Sequence, residues 1–379
     1  TRPSPPTSTW GRRWTPSPWG DGGRGVADVI PASVRTVNAE ADAVARRYWH
    51  AVAVESQLDD GPIAVTLLGE ELVVVRLGDE VLAAPDRCPH RSSRLSTGDV
   101  RIEPNGASCL VCPYHALHFD AGGRAVHLPP RPQDRLAARL DLPSLPVCVK
   151  HGMVWVSLSP DPIGGLPDWP SYDDPAMARF QLGPEPWATM PSRIVENFND
   201  LGHFATVHAA TFGVSDDERF VVVPPVDAKV VADEAGRSTG LEQVVEMHQL
   251  DRQTLDGPLV PILAEFAYRH VFPFVTELRI TYAPDRIEWI QVAFTPVSSL
   301  ASDEPRAMVF QQNVRNFDVD GDIVAWHDFQ AAVNAEDREI LEVLRPIVIG
   351  VDGTGADEAS LSFDDVTVAY RRLWREAVS

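Results

Sequence analysis

Residues 86–91 read DRCPHR and residues 112–115 read CPYH. In each stretch a cysteine stands two or three positions ahead of a histidine, with a proline directly after the cysteine. Taken alone, Cys88-Pro89-His90 fits a structural accident, a zinc clip, a nucleophile beside its base, or half of an iron–sulfur site. The second stretch, Cys112 to His115, narrows the choice. Two ligand pairs in tight proline-bearing loops suit a metal site held between two β-hairpin tips, because proline fixes φ and presets the loop that aims its neighbours.

Thiolates and imidazoles bind borderline-soft metals, which leaves two occupants. One is a tetrahedral zinc ion taking all four ligands. The other is a [2Fe–2S] cluster of the Rieske kind, with two cysteines on one iron and two histidines on the other. The C-x-H spacing is shorter than the usual zinc-finger pairs, whereas one cysteine and one histidine per loop is what the cluster demands. A cysteine–histidine hydrolase fits poorly, since its two residues come from distant parts of a chain. Cys109 sits in the apolar run SCLVC and Cys148 between two valines. Both read as small buried hydrophobes, although Cys109 and Cys112 also form a C-x-x-C pair.

Working outward, short apolar runs surround these loops: AVAVES, PIAVTLL, ELVVVRL and EVLAAPD, punctuated by Asp60-Gly61, Gly69-Glu70 and Gly78-Asp79. Further strands are expected at 108–112, 116–119 and 124–128, and LPVCVKHGMVWVSL reads as a hairpin turning at His151-Gly152. Such close spacing indicates a compact all-β domain. A helix capped by Asn38 and running to Trp49 precedes it. Residues 1–35, rich at their start in proline and glycine, read as a disordered tail. The proline-rich seam SPDPIGGLPDWPSYDDP ends the first domain, giving 36–162 and 163–379. The second part mixes a helix at 192–208, strands at 220–231, 241–250, 263–270, 275–283, 286–294 and 306–317, and helices at 326–345 and 362–376. That is an α+β pattern of antiparallel sheet covered by helices.

A second group of ligand-type residues lies in VENFNDLGHFATVHAATFG, residues 195–213. His203 and His208 are five apart, which on a regular helix separates them by about 140° around the axis and about 7.5 Å along it. A shared ligand therefore needs a kinked or loosened helix, for which Gly202 is suited. Asp200 precedes His203 by three and shares its face. Two histidines and one carboxylate make the facial set of a non-heme iron oxygenase. The candidate third ligand is Asp337 in HDFQAAVNAEDREILEVLRP. Its helical neighbours Val333, Ile340, Leu341 and Leu344 set it on an apolar face, where a bare carboxylate is costly unless paired or metal-bound. Glu336, at the edge of that face, is the fallback. Phe272, Phe274, Trp289 and Phe294 stand on candidate cavity strands and suggest an apolar or aromatic ligand.

The 379 residues are 44% hydrophobic, enough for a sizeable core, and carry a formal net charge of −21. So acidic a surface repels phosphate backbones and makes nucleic acid a poor partner. No apolar run is long enough to span a membrane, and the cysteine usage favours metal binding in the cytoplasm over a disulfide framework.

The order of these motifs resembles the α-subunit of Rieske non-heme iron oxygenases over about residues 45–375: C-x-H, C-x2-H, then N-x2-D-x2-H-x4-H, then a Glu-Asp pair on a late helix. RRYWHAVA, DRCPHR, CPYH and GMVWVSL are similar to the single-subunit terminal oxygenases, among them aromatic O-demethylases and dicamba-type demethylases. The resemblance implies a Rieske [2Fe–2S] domain followed by a helix-grip catalytic domain. Cys88 and Cys112 would hold one cluster iron and His90 and His115 the other. His203, His208 and Asp337 would hold a mononuclear Fe(II), with Asn197 and Asp200 as catalytic neighbours. It further implies a small organic substrate, O2, electrons from a separate ferredoxin or NAD(P)H-dependent reductase, and a homotrimer in which Asp200 bridges to His115 of a neighbour. Two departures stand out. The stretch from His90 to Cys112 is long for the family, through EPNGA, and Ala116-Leu117 replaces the usual Gly-Trp. Competing readings are a Rieske electron carrier without oxygenase chemistry, which leaves His203, His208 and Asp337 unused, and a zinc-clipped ligand-binding protein.

Overall fold

The computed structural model describes residues 30–103, 106–212, 218–251, 254 and 257–379; the first 29 residues of the tail expected at 1–35 and two residues of the EPNGA loop lie outside these, and the end of that expected tail, from Ala32, is instead the start of a helix. In chain order come α1 (Ala32–Ala45), β1 (His50–Val54), β2 (Ile63–Leu67), β3 (Glu70–Leu77), β4 (Glu80–Pro85), β5 (Asp99–Ile102), β6 (Ser108–Val111), β7 (His118–Phe119), β8 (Ala125–His127), β9 (Val147–Lys150) and β10 (Met153–Val156). Then follow α2 (Pro170–Asp173), β11 (Ala178–Trp187), α3 (Pro191–Phe198), α4 (Phe204–Val207), α5 (Ala209–Phe212), β12 (Lys229–Ala232), β13 (Ser238–Asp251), β14 (Val260–Val271), β15 (Val275–Ala283), β16 (Arg286–Pro296), β17 (Ala307–Arg315), α6 (Ile323–Leu341) and α7 (Asp365–Val378).

These elements pack as two compact units. The smaller comprises residues 56–65 and 71–144. Its core joins Val73, Val75 and Leu82 to Leu110, Leu117 and Phe119, with Cys88 and Cys112 in the same cluster. The valine-rich β3 pairs with β4 through a two-residue turn in register Leu77↔Glu80. Gly78 adopts φ 67 there, the left-handed conformation such a turn needs. Beyond β4, strands β5 to β8 form a meander in sequence order.

The larger unit holds residues 30–55, 66–70 and 145–379. Its frame is a seven-stranded antiparallel sheet in the order β11-β17-β16-β15-β14-β13-β12. Along β14 every second residue from Ala264 to His270 is buried, the two-residue period of a strand with one face on a core. Helix α3 packs on β16, α6 on β11 and α7 on β13. The small sheet β1-β10-β9 belongs to this unit: Ala51, Met153 and Trp155 pack with Trp169, Val275, Ala293 and Phe310. The proline-rich seam therefore runs inside the larger unit. The architecture bears out the α+β reading.

Several local expectations are corrected. Helix α1 begins at Ala32 and ends at Ala45, and Asn38 is fully buried in its middle. Its side chain donates to Ile349 O at 2.9 Å and accepts from Val351 N at 3.0 Å, pinning the helix to a loop more than 300 positions away. No strand is expected over β11, because LGPEP reads as a turn. Strand β11 lies at the sheet edge, where its pairing shifts between Leu182 and Glu185 and where proline is tolerated in a strand. Of the strand expected at 220–231, only the end forms, as β12.

Candidate metal centres

The loops after β4 and β6 follow one pattern. Cys88 N donates to Ser93 O and Cys112 N to Leu117 O, while Ser92 N returns to Cys88 O and Ala116 N to Cys112 O. The fourth residue past each cysteine is left-handed, Ser92 at φ 60 and Ala116 at φ 54. A glycine would adopt that conformation without strain, so the side chains of Ser92 and Ala116 make these turns costlier. Asp86 braces the first loop, accepting from Ser96 N at 2.7 Å, Ser96 Oγ at 2.6 Å and Arg94 Nε at 2.9 Å.

This folding sorts the four predicted ligands by depth. Cys88 and Cys112 are buried at 2% exposure, whereas His90 is exposed and His115 half-buried. The two imidazoles face each other edge to face with centroids 4.7 Å apart, and Tyr114 stacks on His115 at 3.9 Å. Burial, joined by the adjacent Cys112 thiol, pushes the Cys88 thiol up to about 11, even though the backbone N–H groups of His90 and Arg91 favour its thiolate. Metal ligation removes that burden by binding the deprotonated sulfur, and N–H donors to sulfur are a feature of iron–sulfur sites. Among the described residues, the four loop donors do not converge within 4.8 Å, as donors around one ion would. The spread suits two irons better than one zinc. Cys109 is buried at 1%, as expected; Cys148 is only half-buried.

In the larger unit the helix expected at 192–208 is interrupted. Helix α3 stops at Phe198, and α4 resumes at Phe204. In the gap, Asp200 Oδ1 accepts from Gly202 N at 2.9 Å, and its Oδ2 from His203 N at 3.2 Å and His203 Nδ1 at 3.0 Å. Gly202 is required by space: an added Cβ would lie 2.8 Å from the Phe363 ring. The break cancels the helical offset and brings His203 Nε2 and His208 Nε2 to 3.2 Å. Asp337 Oδ1 lies 3.4 Å from the first and 3.3 Å from the second. Ligand atoms at right angles on metal bonds of about 2.0–2.2 Å sit about 3 Å apart, so these three donors suit one ion.

The surrounding side chains hold this arrangement. Asn197 Nδ2 donates to Asp337 Oδ1 at 3.3 Å. Burial works against ionised Asp200, yet the His203 side chain and the Gly202 N–H outweigh it and keep its carboxyl below the usual range. Burial likewise opposes a charge on His208, but Asp337 and Glu336 raise its affinity for a proton; a bound cation would take the same negative field. Glu336, the fallback ligand, instead accepts from His208 Nδ1 and from Thr211 Oγ1, both at 2.8 Å. Hydrogen bonding at Nδ1 leaves Nε2 available to a metal ion. Sequence reasoning missed this role, although the adjacent Glu-Asp pair signalled it. On α6, Val333 and Leu341 are buried as expected, whereas Ile340 points to solvent.

His203, His208 and Asp337 open onto a cavity enclosing about 1050 Å³, its mouth included. Phe198, Phe204, Phe212, Phe266 and Phe329 line it. The four aromatics chosen from sequence do not. Phe272 and Phe274 pack on Trp374 at centroid distances of 4.7 and 5.6 Å, Phe294 is core, and Trp289 is half-buried elsewhere on β16. Tyr268 also lines the cavity, from β14.

Comparison with known proteins follows the same division. Residues 48–146 match the Rieske [2Fe-2S] domain, and residues 187–379 match the vanillate O-demethylase oxygenase C-terminal domain. Methylxanthine N3-demethylase NdmB of Pseudomonas putida is 28% identical over 352 residues, covering 87% of this chain and 89% of its own. The oxygenase component of dicamba O-demethylase from Stenotrophomonas maltophilia is 29% identical over 344 residues, covering 86% and 96%. The solved structure of Pseudomonas putida CBB5 NdmA with caffeine covers 89% of this chain and 92% of its own at TM-score 0.74 and 26% identity.

Proposed function

The chain belongs to the Rieske non-heme iron oxygenases, in the branch that carries the vanillate O-demethylase oxygenase C-terminal domain, and on that premise we propose that it oxidatively demethylates a small aromatic or heteroaromatic compound. The observation that carries this reading is the convergence of His203, His208 and Asp337 within 4.8 Å at the wall of a cavity lined by phenylalanines. Relatives that act on methylxanthines and dicamba share most of the chain's length. An electron carrier would have no use for such a cavity.

In this reading Cys88, His90, Cys112 and His115 hold the [2Fe–2S] cluster, and His203, His208 and Asp337 hold the mononuclear iron. When bound, the cluster relays single electrons from a separate reductase or ferredoxin and the iron activates O2 beside the substrate. The protein's own part is to place and shield. The phenylalanine walls exclude water and hold a planar ring by apolar contact. Asn197 and Glu336 fix the orientations of Asp337 and His208. Asp200 keeps the proton on His203 Nδ1, so that Nε2 faces the ion. We further assign Asp200 as the link to His115 of a neighbouring copy in a trimer of cytoplasmic enzyme; exposed His90 and half-buried His115 suit such a contact.

Metal and product analysis tests the proposal. The purified protein should carry about three irons and about two acid-labile sulfides per chain. With a reductase it should release formaldehyde from O- or N-methylated aromatics. Asp200→Asn should keep both metal centres and lower turnover by about 10–100-fold or more. Normal turnover in that variant would remove Asp200 from the relay, and a protein with cluster but without mononuclear iron would point to the electron carrier.

A further inference from the structure

Tyr268 stands out in the cavity wall because its hydroxyl has no partner among the described residues, although the side chain is only 3% exposed. Burying a hydroxyl without a hydrogen bond is unfavourable, and phenylalanine would fill the same space without that cost. Apolar packing therefore explains the ring, which meets Phe198 edge to face at 6.3 Å, and leaves the oxygen unexplained.

Its surroundings indicate what the oxygen is for. Tyr268 shares the cavity with all three candidate iron ligands. Burial first, then the nearby carboxylates of Asp200 and Asp337, push its ionisation well above the ordinary range, so the group stays protonated and can donate. Several of the other polar groups on the wall already have protein partners. Glu288 accepts from Tyr282 Oη and Asn313 Nδ2, both at 2.9 Å. Gln330 Nε2 donates to Asn334 Oδ1 at 3.1 Å, and Asn334 Nδ2 donates to Gln311 Oε1 at 3.0 Å.

We infer that the Tyr268 hydroxyl donates a hydrogen bond to the bound substrate, and that the substrate is an aromatic compound with an acceptor, a carbonyl oxygen or ring nitrogen, close to the carbon that is oxidised. The inference rests on the oxygenase reading of this cavity. It makes Tyr268 a specificity-determining residue: a plain hydrocarbon of the same shape leaves the hydroxyl unpaired and is rejected, as sites built around a hydrogen bond reject analogues that lack it.

Shape-matched probes test this on the iron-loaded holoenzyme: 1-methyl-2-pyridone against o-xylene, and 2-methoxybenzaldehyde against 2-methoxystyrene. Dissociation constants are read by NMR titration, independently of turnover. The wild-type protein should favour the carbonyl member of each pair by about 10-fold, the worth of one good hydrogen bond. Tyr268→Phe should reduce that preference to about twofold or less, with the affinity for the hydrocarbons unchanged. The inference is overturned if the wild type shows no preference, if Tyr268→Phe keeps it, or if the variant weakens both members equally, as loss of packing would. Mononuclear iron is assayed in the same samples. Its absence with the Tyr268-dependent preference intact would remove the oxygenase reading and leave the hydrogen bond standing.

Discussion

Two carboxylates stand side by side at positions 336 and 337, and the fold gives them different work. Asp337 Oδ1 faces both Nε2 atoms, while Glu336 Oε2 holds His208 Nδ1 from the other side of the ring. Partners of this kind tune a metal site by fixing the tautomer and orientation of its ligand. Glu336→Gln, which keeps an acceptor but removes the charge, should weaken mononuclear iron binding by about 10-fold, and Glu336→Ala by up to about 100-fold. Iron titration of the apo-protein measures both, and the visible spectrum of the cluster should not change. An equal loss of cluster would show instead that Glu336 supports the whole fold. The residue types at both centres were legible in the sequence because ligation is a matter of chemistry and short spacing. Which oxygen faces which nitrogen was not, since it depends on how α6 is turned against α4 and α5.

Elements show where local signals meet long-range packing. Spacing alone required a deformed helix between His203 and His208, and the chain supplies a complete break built on Asp200 and Gly202. Asn38 shows the opposite case: asparagine favours helix starts, but this residue is spent on a tertiary tie. Both of its hydrogen bonds go to the backbone near Ile349 and Val351. Asn38→Ala would leave a buried carbonyl and a buried N–H without partners, so urea unfolding should register a loss of about 2–4 kcal/mol. Iron content of the folded fraction should stay normal. A loss under about 0.5 kcal/mol would mean that the 349–351 loop relaxes to find other partners. Among the strands, alternation and turn residues marked β3, β4 and β15 well. Edge strand β11 escaped, because Gly-Pro-Glu-Pro is read as a breaker unless one knows that it lies at the margin of a sheet.

For the molecule as a whole, buried histidines tie stability to pH. Burial lowers His50 to about 4 and His270 to about 3, so both stay neutral in the fold but take up protons near pH 6.5 once unfolded. Their contribution is complete above pH 6.5 and is lost as pH falls toward the folded values, at up to about 1.4 kcal/mol per pH unit for each histidine. Thermal unfolding between pH 7 and 5 should show a falling Tm, and His270→Gln should flatten the slope. An unchanged slope in that variant would shift the burden to His50 alone. The sequence by itself determined the chemistry of two metal centres, the α+β class and the family, because ligand motifs and apolar periods are written within a few residues of each other. Only the tertiary structure decided that Asp337 rather than Glu336 faces the histidines, that Phe272 and Phe274 belong to the core while Phe198 and Phe266 line the cavity, and that Tyr268, on the wall of the same cavity, has a buried hydroxyl without a partner among the described residues. Each of those depends on strand register and helix rotation, which are set by burial of surfaces brought together from distant parts of the chain.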